Sequence, residues 1–159
     1  PFGCYGPSVR DYATLAGWSG ANLPDEAVVI TRKPRIFFLL SGRKTQSIPL
    51  VIGWEEFGTM LPAGGDVYLT LDRLGGLTGR YMIPILRERP TAFCWIAPAG
   101  GSGDGAQLFG VMAGEGSPGE GDETGIAPCP ADRVLSRPRP WFEGEPGDIP
   151  LLSALERDS

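Results

Sequence analysis

The stretch Ala27 to Lys44, AVVITRKPRIFFLLSGRK, constrains the fold more than any other part of this chain. Ala27, Val28, Val29, Ile30 and Thr31 form a short β-branched run, and branched side chains suit a pleated, covered surface, so a buried strand is expected there. Arg32 and Lys33 follow at once. Pro34 then stands where its fixed φ suits the first turn of a helix. Ile36 to Leu40 supply an apolar block, and Gly42 offers a C-cap. Strand, basic turn, apolar helix and a Gly-Arg-Lys stop make one β-α unit with cations at both ends of the helix.

The flanking sequence repeats this alternation. Ser8-Val9-Arg10-Asp11 reads as a capping box with Asp for the usual Glu, opening a helix over Ser8 to Gly20 whose Val9, Tyr12, Ala13 and Ala16 share one face. Past Lys44 a strand is expected over Gln46 to Ile52, with Pro49 marking an edge or a strand end. A short helix over Trp54 to Leu61 and a third strand over Asp66 to Leu71 follow. Thr78 then caps a helix to about Arg89 with Pro84 inside it. Two last strands, Phe93 to Ala97 and Gln107 to Met112, flank the hairpin loop GGSGDG at 100–105. This order predicts an α/β fold: a small, mainly parallel sheet with helices on both faces and an antiparallel edge hairpin.

At 159 residues and 42% hydrophobic content the chain can bury one core. That core is expected within residues 1–113. Residues 114–159 turn to Gly, Pro and acids and read as a flexible linker and extended tail, with IPLLSAL at 149–155 as a candidate terminal helix capped by Asp148.

The net charge of −5 is unevenly spread: ten Lys/Arg stand against eight Asp/Glu up to Pro90, and four against eleven from Thr91 onward. An acidic chain with only local cation clusters argues against nucleic acid as a partner. The absence of His excludes Ser-His-Asp and Cys-His catalysis and His-ligated zinc within this chain. Cys4, Cys94 and Cys129 have no C-x-x-C spacing and allow at most one internal disulfide. Cys94 with Cys129 is the reasonable staple in an oxidising compartment, and three unpaired thiols with Cys94 simply buried is the alternative. No apolar run reaches the length of a membrane span, and no signal peptide is present. The chain begins at Pro1 without Met, as a fragment or processed product would.

Gly101-x-Gly103-x-x-Ala106 has dinucleotide-fingerprint spacing, but a strand follows it where a helix is needed, which makes it a plain hairpin. No phosphate-loop lysine motif, nucleophile elbow or calcium loop occurs, and no cofactor or metal is called for. Candidate site residues come instead from topology, because open α/β sheets bind ligands at the C-terminal ends of their strands. Arg32 and Lys33 end the first strand, Asp72 and Arg73 end the third, and Arg80 opens the next helix. An Asp among such cations is either a catalytic group or a structural ion pair and loop anchor. Arg35, Arg43 and Lys44 extend the set as candidate contacts to a ligand or lipid phosphate; the bland alternative is that they solvate helix ends, favoured at the C-terminus by the helix dipole.

AVVITRKPRIFFLLSGRK together with LDRLGGLTGRYMIPILRERP resembles the C-terminal soluble domain of bacterial multi-pass membrane glycosyltransferases of the dolichyl-phosphate-mannose-protein mannosyltransferase and aminoarabinose-transferase type. The likeness runs from a helix with a Trp (Trp18) and a Pro-Asp turn (Pro24, Asp25) through the R-K-P-R helix ending in S-G-R-K. It continues in Asp72 to Leu74 and in Arg80, Tyr81 and Pro84, covering about Ser8 to Met112. It departs at Gln46 to Leu61 and in the acidic tail. The resemblance implies an extracytoplasmic, periplasmic accessory domain of an enzyme using a polyprenyl-phosphate-linked sugar. Its partners would be the membrane-spanning part of its parent chain and anionic lipid or lipid-linked sugar. The catalytic acid of such enzymes lies in a loop between early membrane helices, outside this sequence, so the resemblance supplies no catalytic residue. Two other readings stay open: a small α/β enzyme or binding domain acting on an anionic ligand through Asp72, Arg32, Arg73 and Arg80, and an interaction module using the acidic tail or the Arg137 to Pro140 segment.

Overall fold

In the computed structural model, residues 7–62, 66–96, 106–112 and 126–138 are described. Helix α1 (Pro7–Asn22) leads into strand β1 (Val28–Thr31), helix α2 (Pro34–Ser41) and strand β2 (Lys44–Ser47). Helix α3 (Trp54–Thr59), strand β3 (Val67–Leu71) and helix α4 (Leu77–Glu88) follow, then strands β4 (Phe93–Ile96) and β5 (Gln107–Val111). The chain forms a mixed α/β fold around one five-stranded open sheet in the order β2-β1-β3-β5-β4. β1 pairs in parallel with β2 and β3, while β5 runs antiparallel to both β3 and β4. Four strands therefore share one direction and β5 alone opposes them.

The β-α unit forms for the expected reasons. Pro34 sits in the first turn of α2, Arg35 is exposed, and Gly42 closes the helix at φ 69°, with its N–H donating to the Phe38 carbonyl. Strand alternation then divides the core. Val29, Tyr68 and Leu108 join a cluster with Tyr12, Leu15, Phe37 and Leu40 from α1 and α2. Ile30, Leu69 and Phe109 join a second cluster with Phe57, Met82, Ile85 and Leu86 from α3 and α4. Helices cover both sheet faces.

Several local readings need correction. β2 runs over 44–47 rather than 46–52: its partner β1 ends at Thr31, and Ile48 N–H makes the last bond, to the Thr31 carbonyl. α1 begins at Pro7, so Ser8 lies inside the helix. Thr78 does not cap α4. Gly76 holds that position, and the Thr78 side chain is buried and donates to Asp72 Oδ2 at 3.2 Å. Pro84 is inside α4 on an exposed position, as expected from the sequence.

The largest departure lies beyond residue 113. Residues 126–138, expected as part of a separate tail, lie against the sheet. Trp95 N–H donates to the Ala127 carbonyl, Cys129 N–H to the Trp95 carbonyl, and Cys129 is disulfide-bonded to Cys94. Arg133 donates to the Val67 carbonyl at 2.7 Å and lies 4.7 Å from the centre of the Tyr68 ring, whose hydroxyl donates to the Arg133 carbonyl. Leu135 N–H bonds to the Asn22 carbonyl. Cys129 and Val134 pack on the α1/α2-side core, which also holds Ile96 of β4 and Leu108 of β5. Residues 126–138 are thus tied to the sheet by a disulfide and by hydrogen bonds. The hairpin loop at 100–105, the linker at 114–125 and the candidate helix at 149–155 lie outside the described residues.

Candidate functional site

β1 and β3 are neighbours whose outgoing connections part. The chain leaves β1 for α2 on one face and leaves β3 for α4 on the other. A parallel pair with diverging connections opens a crevice at its C-terminal ends, the usual ligand position in open α/β sheets. Arg32 and Lys33 follow β1 there, and Asp72 and Arg73 follow β3. Arg35 in the first turn of α2 and Arg80 in the first turn of α4 complete the rim, both exposed. Six of the eight sequence candidates thus share one end of the sheet.

Arg43 and Lys44 do not. The parallel crossover returns the chain to the opposite edge, where Lys44 pairs with Val28 at the start of β1. Three residue steps of strand, about 10 Å, separate the two edges. Arg43 is also 5% exposed, with Nη1 donating to Asp25 Oδ1 at 2.9 Å and to the Pro24 carbonyl at 3.3 Å. It ties the turn before β1 to the end of α2 and is not displayed to a membrane or ligand. The cation set read from sequence is therefore two groups at opposite ends.

Asp72 is buried. Its Oδ1 accepts from Leu74 N–H at 2.9 Å and its Oδ2 from the Thr78 hydroxyl, which fixes the loop from β3 into α4. Burial pushes its carboxyl above the ordinary value; those two hydrogen bonds and the charges of Arg32 and Lys33 pull the other way without cancelling the rise. No ion pair joins Asp72 directly to Arg32 among the described residues. On the α4 side Asp72 and Arg73 line a cavity of about 340 Å³ with Leu71, Gly75, Gly76, Gly79, Ile83 and Gln107.

On the α1 side sits a polar cluster that sequence reading missed. Tyr12 Oη lies 2.6 Å from Thr31 Oγ1, and Thr70 Oγ1 donates to Thr31 Oγ1 at 2.8 Å, all three residues being fully buried. Lys33 N–H donates to Tyr12 Oη. Burial drives the Tyr12 phenol far above its ordinary pKa, against the opposing hydrogen bonds to Thr31 and the Lys33 backbone, so it stays a neutral donor. The signal available was Tyr12 on the apolar face of its helix, Thr31 ending β1 and Thr70 next to last in β3, which binary patterning counts as core. Arg32 Nε is buried beside this crevice and has no hydrogen-bond partner among the described residues, an unusual state for a charged donor.

Among the described residues no cluster of acids and thiols is arranged to hold a metal ion, and no helix is long and apolar enough to cross a membrane. No family model, curated protein or solved structure matches this chain.

Proposed function

We propose that this chain is a binding domain that takes a phosphate-bearing ligand in the crevice between β1 and β3. The observation that carries the reading is the placement of Arg32, Lys33 and Arg73 just past the C-terminal ends of β1 and β3, with Arg32 Nε buried and without a hydrogen-bond partner among the described residues. A guanidinium suits phosphate because its donors match two oxygens at once, and a buried donor gains a bond from an anion placed beside it. Asp72 is held in place by bonds from Leu74 N–H and the Thr78 hydroxyl, and burial raises its carboxyl above the ordinary value, which favours its neutral form beside the cations. In the setting the resemblance implies, the domain is an extracytoplasmic accessory part of a membrane glycosyltransferase. The phosphate is then that of a polyprenyl-linked sugar, and the domain orients it without turnover of its own.

Calorimetry of the oxidised chain with geranyl phosphate, a sugar 1-phosphate, inorganic phosphate and the free sugar tests this. Binding of the phosphorylated compounds alone supports the reading, and preference for geranyl phosphate supports the lipid-linked setting. Silence across the panel removes the reading. A second reading, an α/β enzyme with Asp72 as acid–base group, is favoured by that carboxyl's burial and its place on the cavity wall. Turnover of a phosphorylated ligand that is lost in Asp72→Asn while binding persists would select it.

A further inference from the structure

The cavity between the C-terminal end of β3 and α4 has a wall that neither backbone conformation nor packing explains. On the sheet side stand Leu71 and its register partner Gln107, followed by Asp72 and Arg73. On the helix side stand Gly75, Gly76 and, four residues apart on one face of α4, Gly79 and Ile83. Gly75 has φ 142°, a backbone that calls for glycine. Gly76 has φ −76° and ψ −9°, open to any residue, and a Cβ there would meet nothing within 4 Å. Gly79 lies inside α4, where glycine is the weakest helix former after proline. A Cβ there would make only an ordinary contact, 3.4 Å from Ile83 Cδ1. What a side chain at 76 or 79 would take up is the cavity itself.

The cavity's volume of about 340 Å³ lies at the small end of ligand sites, about 300–1,000 Å³. That is room for one ring-sized group and not for a dinucleotide. No aromatic ring lines it among the described residues, so a nucleobase finds no stacking platform. Its polar groups are the Asp72 carboxyl, the Arg73 guanidinium and the Gln107 amide; its aliphatic surface is Leu71 and Ile83, the latter 36% exposed. Asp72 is buried and fixed by one bond to each oxygen, and a carboxyl oxygen has capacity for a second. Carboxyl and amide groups set among aliphatic side chains match a ligand whose hydroxyls alternate with C–H faces, which is the chemistry of a sugar ring. Arg73 belongs both to this wall and to the cations past β1 and β3. A phosphate held by Arg73 therefore has its substituent within reach of the cavity.

We infer that this cavity is the subsite for a sugar carried by the phosphate ligand, and that the bare positions Gly76 and Gly79 set its size. The inference rests on the phosphate-binding reading above. The phosphate is recognised by cations and the sugar by the α4-side wall, so the two parts of the ligand are separable by mutation.

Calorimetry of the oxidised full chain with inorganic phosphate, geranyl phosphate and the 1-phosphates of glucose, galactose and mannose is the test. It is run on wild type, Gly76→Leu, Gly79→Leu and Gly79→Ala, with urea unfolding of each. At least one sugar 1-phosphate should bind wild type tenfold or more tighter than inorganic phosphate. Either Leu variant should abolish that advantage while inorganic phosphate keeps its affinity within twofold, which also shows that the variant is folded. Gly79→Ala, one methyl in the cavity on a better helix former, should reduce the advantage while the urea midpoint rises. Inorganic phosphate that binds as tightly as every sugar 1-phosphate overturns the subsite and leaves the phosphate reading standing. A sugar advantage untouched by both Leu variants overturns the cavity as its seat. A geranyl phosphate advantage that both Leu variants remove puts an apolar chain in the cavity and overturns the sugar. Silence of every ligand on wild type removes the phosphate reading and the subsite with it.

Discussion

Gly110 lies beneath the Arg133 guanidinium: a Cβ at position 110 would stand 2.8 Å from Arg133 Nη2 and 2.7 Å from Cys94 Sγ. The absent side chain is what lets the strap of residues 126–138 reach the sheet. Gly110 pairs with Tyr68 on one side and Cys94 on the other, so ring, bare backbone and disulfide form one row under the strap.

Gly110→Ala should therefore destabilise the chain by about 1–3 kcal/mol, the usual cost of forcing atoms into a packed site. A bonded sulfur cannot swing aside as a free side chain would. Urea unfolding of the oxidised protein measures this, and an unchanged midpoint would mean that the strap does not rest on β5.

Deleting everything after Ala113 should expose apolar surface rather than leave a clean domain. Cys94, Ile96 and Leu108 are each at most 5% exposed, and Cys129, Arg133 and Val134 help to cover that region. The truncated chain should bind a hydrophobic dye and melt at a lower temperature than the full chain. A single sharp melt at the full-length temperature would return the domain boundary to 113.

Stability should depend on pH through Asp72. Its carboxyl is raised in the folded state above the ordinary 3.8, so the folded chain holds this proton to higher pH than the unfolded chain does. Its contribution is complete below the ordinary value and is lost as pH rises through the folded one. Asp72→Asn keeps an acceptor for Leu74 N–H and cannot ionise. The stability difference between wild type and this variant should shift in favour of the variant as pH rises through that window. Parallel pH curves would show that Asp72 does not titrate as described.

Arg43 and Arg32 should separate stability from binding. Arg43→Ala removes a buried guanidinium with bonds to Asp25 and the Pro24 carbonyl, and should cost about 1–2 kcal/mol in unfolding with ligand affinity unchanged. Asp25 is 75% exposed, so the ion pair itself contributes only a small part of this. Arg32→Ala should do the reverse, leaving the midpoint nearly unchanged and weakening binding of a phosphate ligand at least tenfold. Urea unfolding and calorimetry on both variants check the pair.

The sequence was legible where neighbours in the chain are neighbours in space. Pro34, the apolar block and Gly42 set α2 by contacts within a few residues, a β-branched run marked β1, and partial alternation marked β3. The strap was not legible, because Arg133 meets Val67 across 66 positions and its segment is Pro-rich and polar, which locally resembles a linker. The candidate site was half legible. Residues that end strands gave Arg32, Lys33, Asp72 and Arg73. The helix that returns the chain to the far edge carried Arg43 and Lys44 away from them, and adjacency in sequence hid this. The Tyr12–Thr31–Thr70 cluster escaped because it forms only when α1 packs on two strands that are distant in sequence.

The crevice between β1 and β3 is best tested by following the Arg32 Nε–H signal in an ¹⁵N NMR titration of the oxidised chain with geranyl phosphate. Binding at the switch point should shift that signal and slow its exchange with solvent, move the Lys33 and Arg73 amides with the same affinity, and leave the Arg43 Nε–H and Lys44 amide in place. Saturable shifts at Arg43 and Lys44 with Arg32 unmoved, or no saturable shift at Arg32, would contradict phosphate recognition in this crevice.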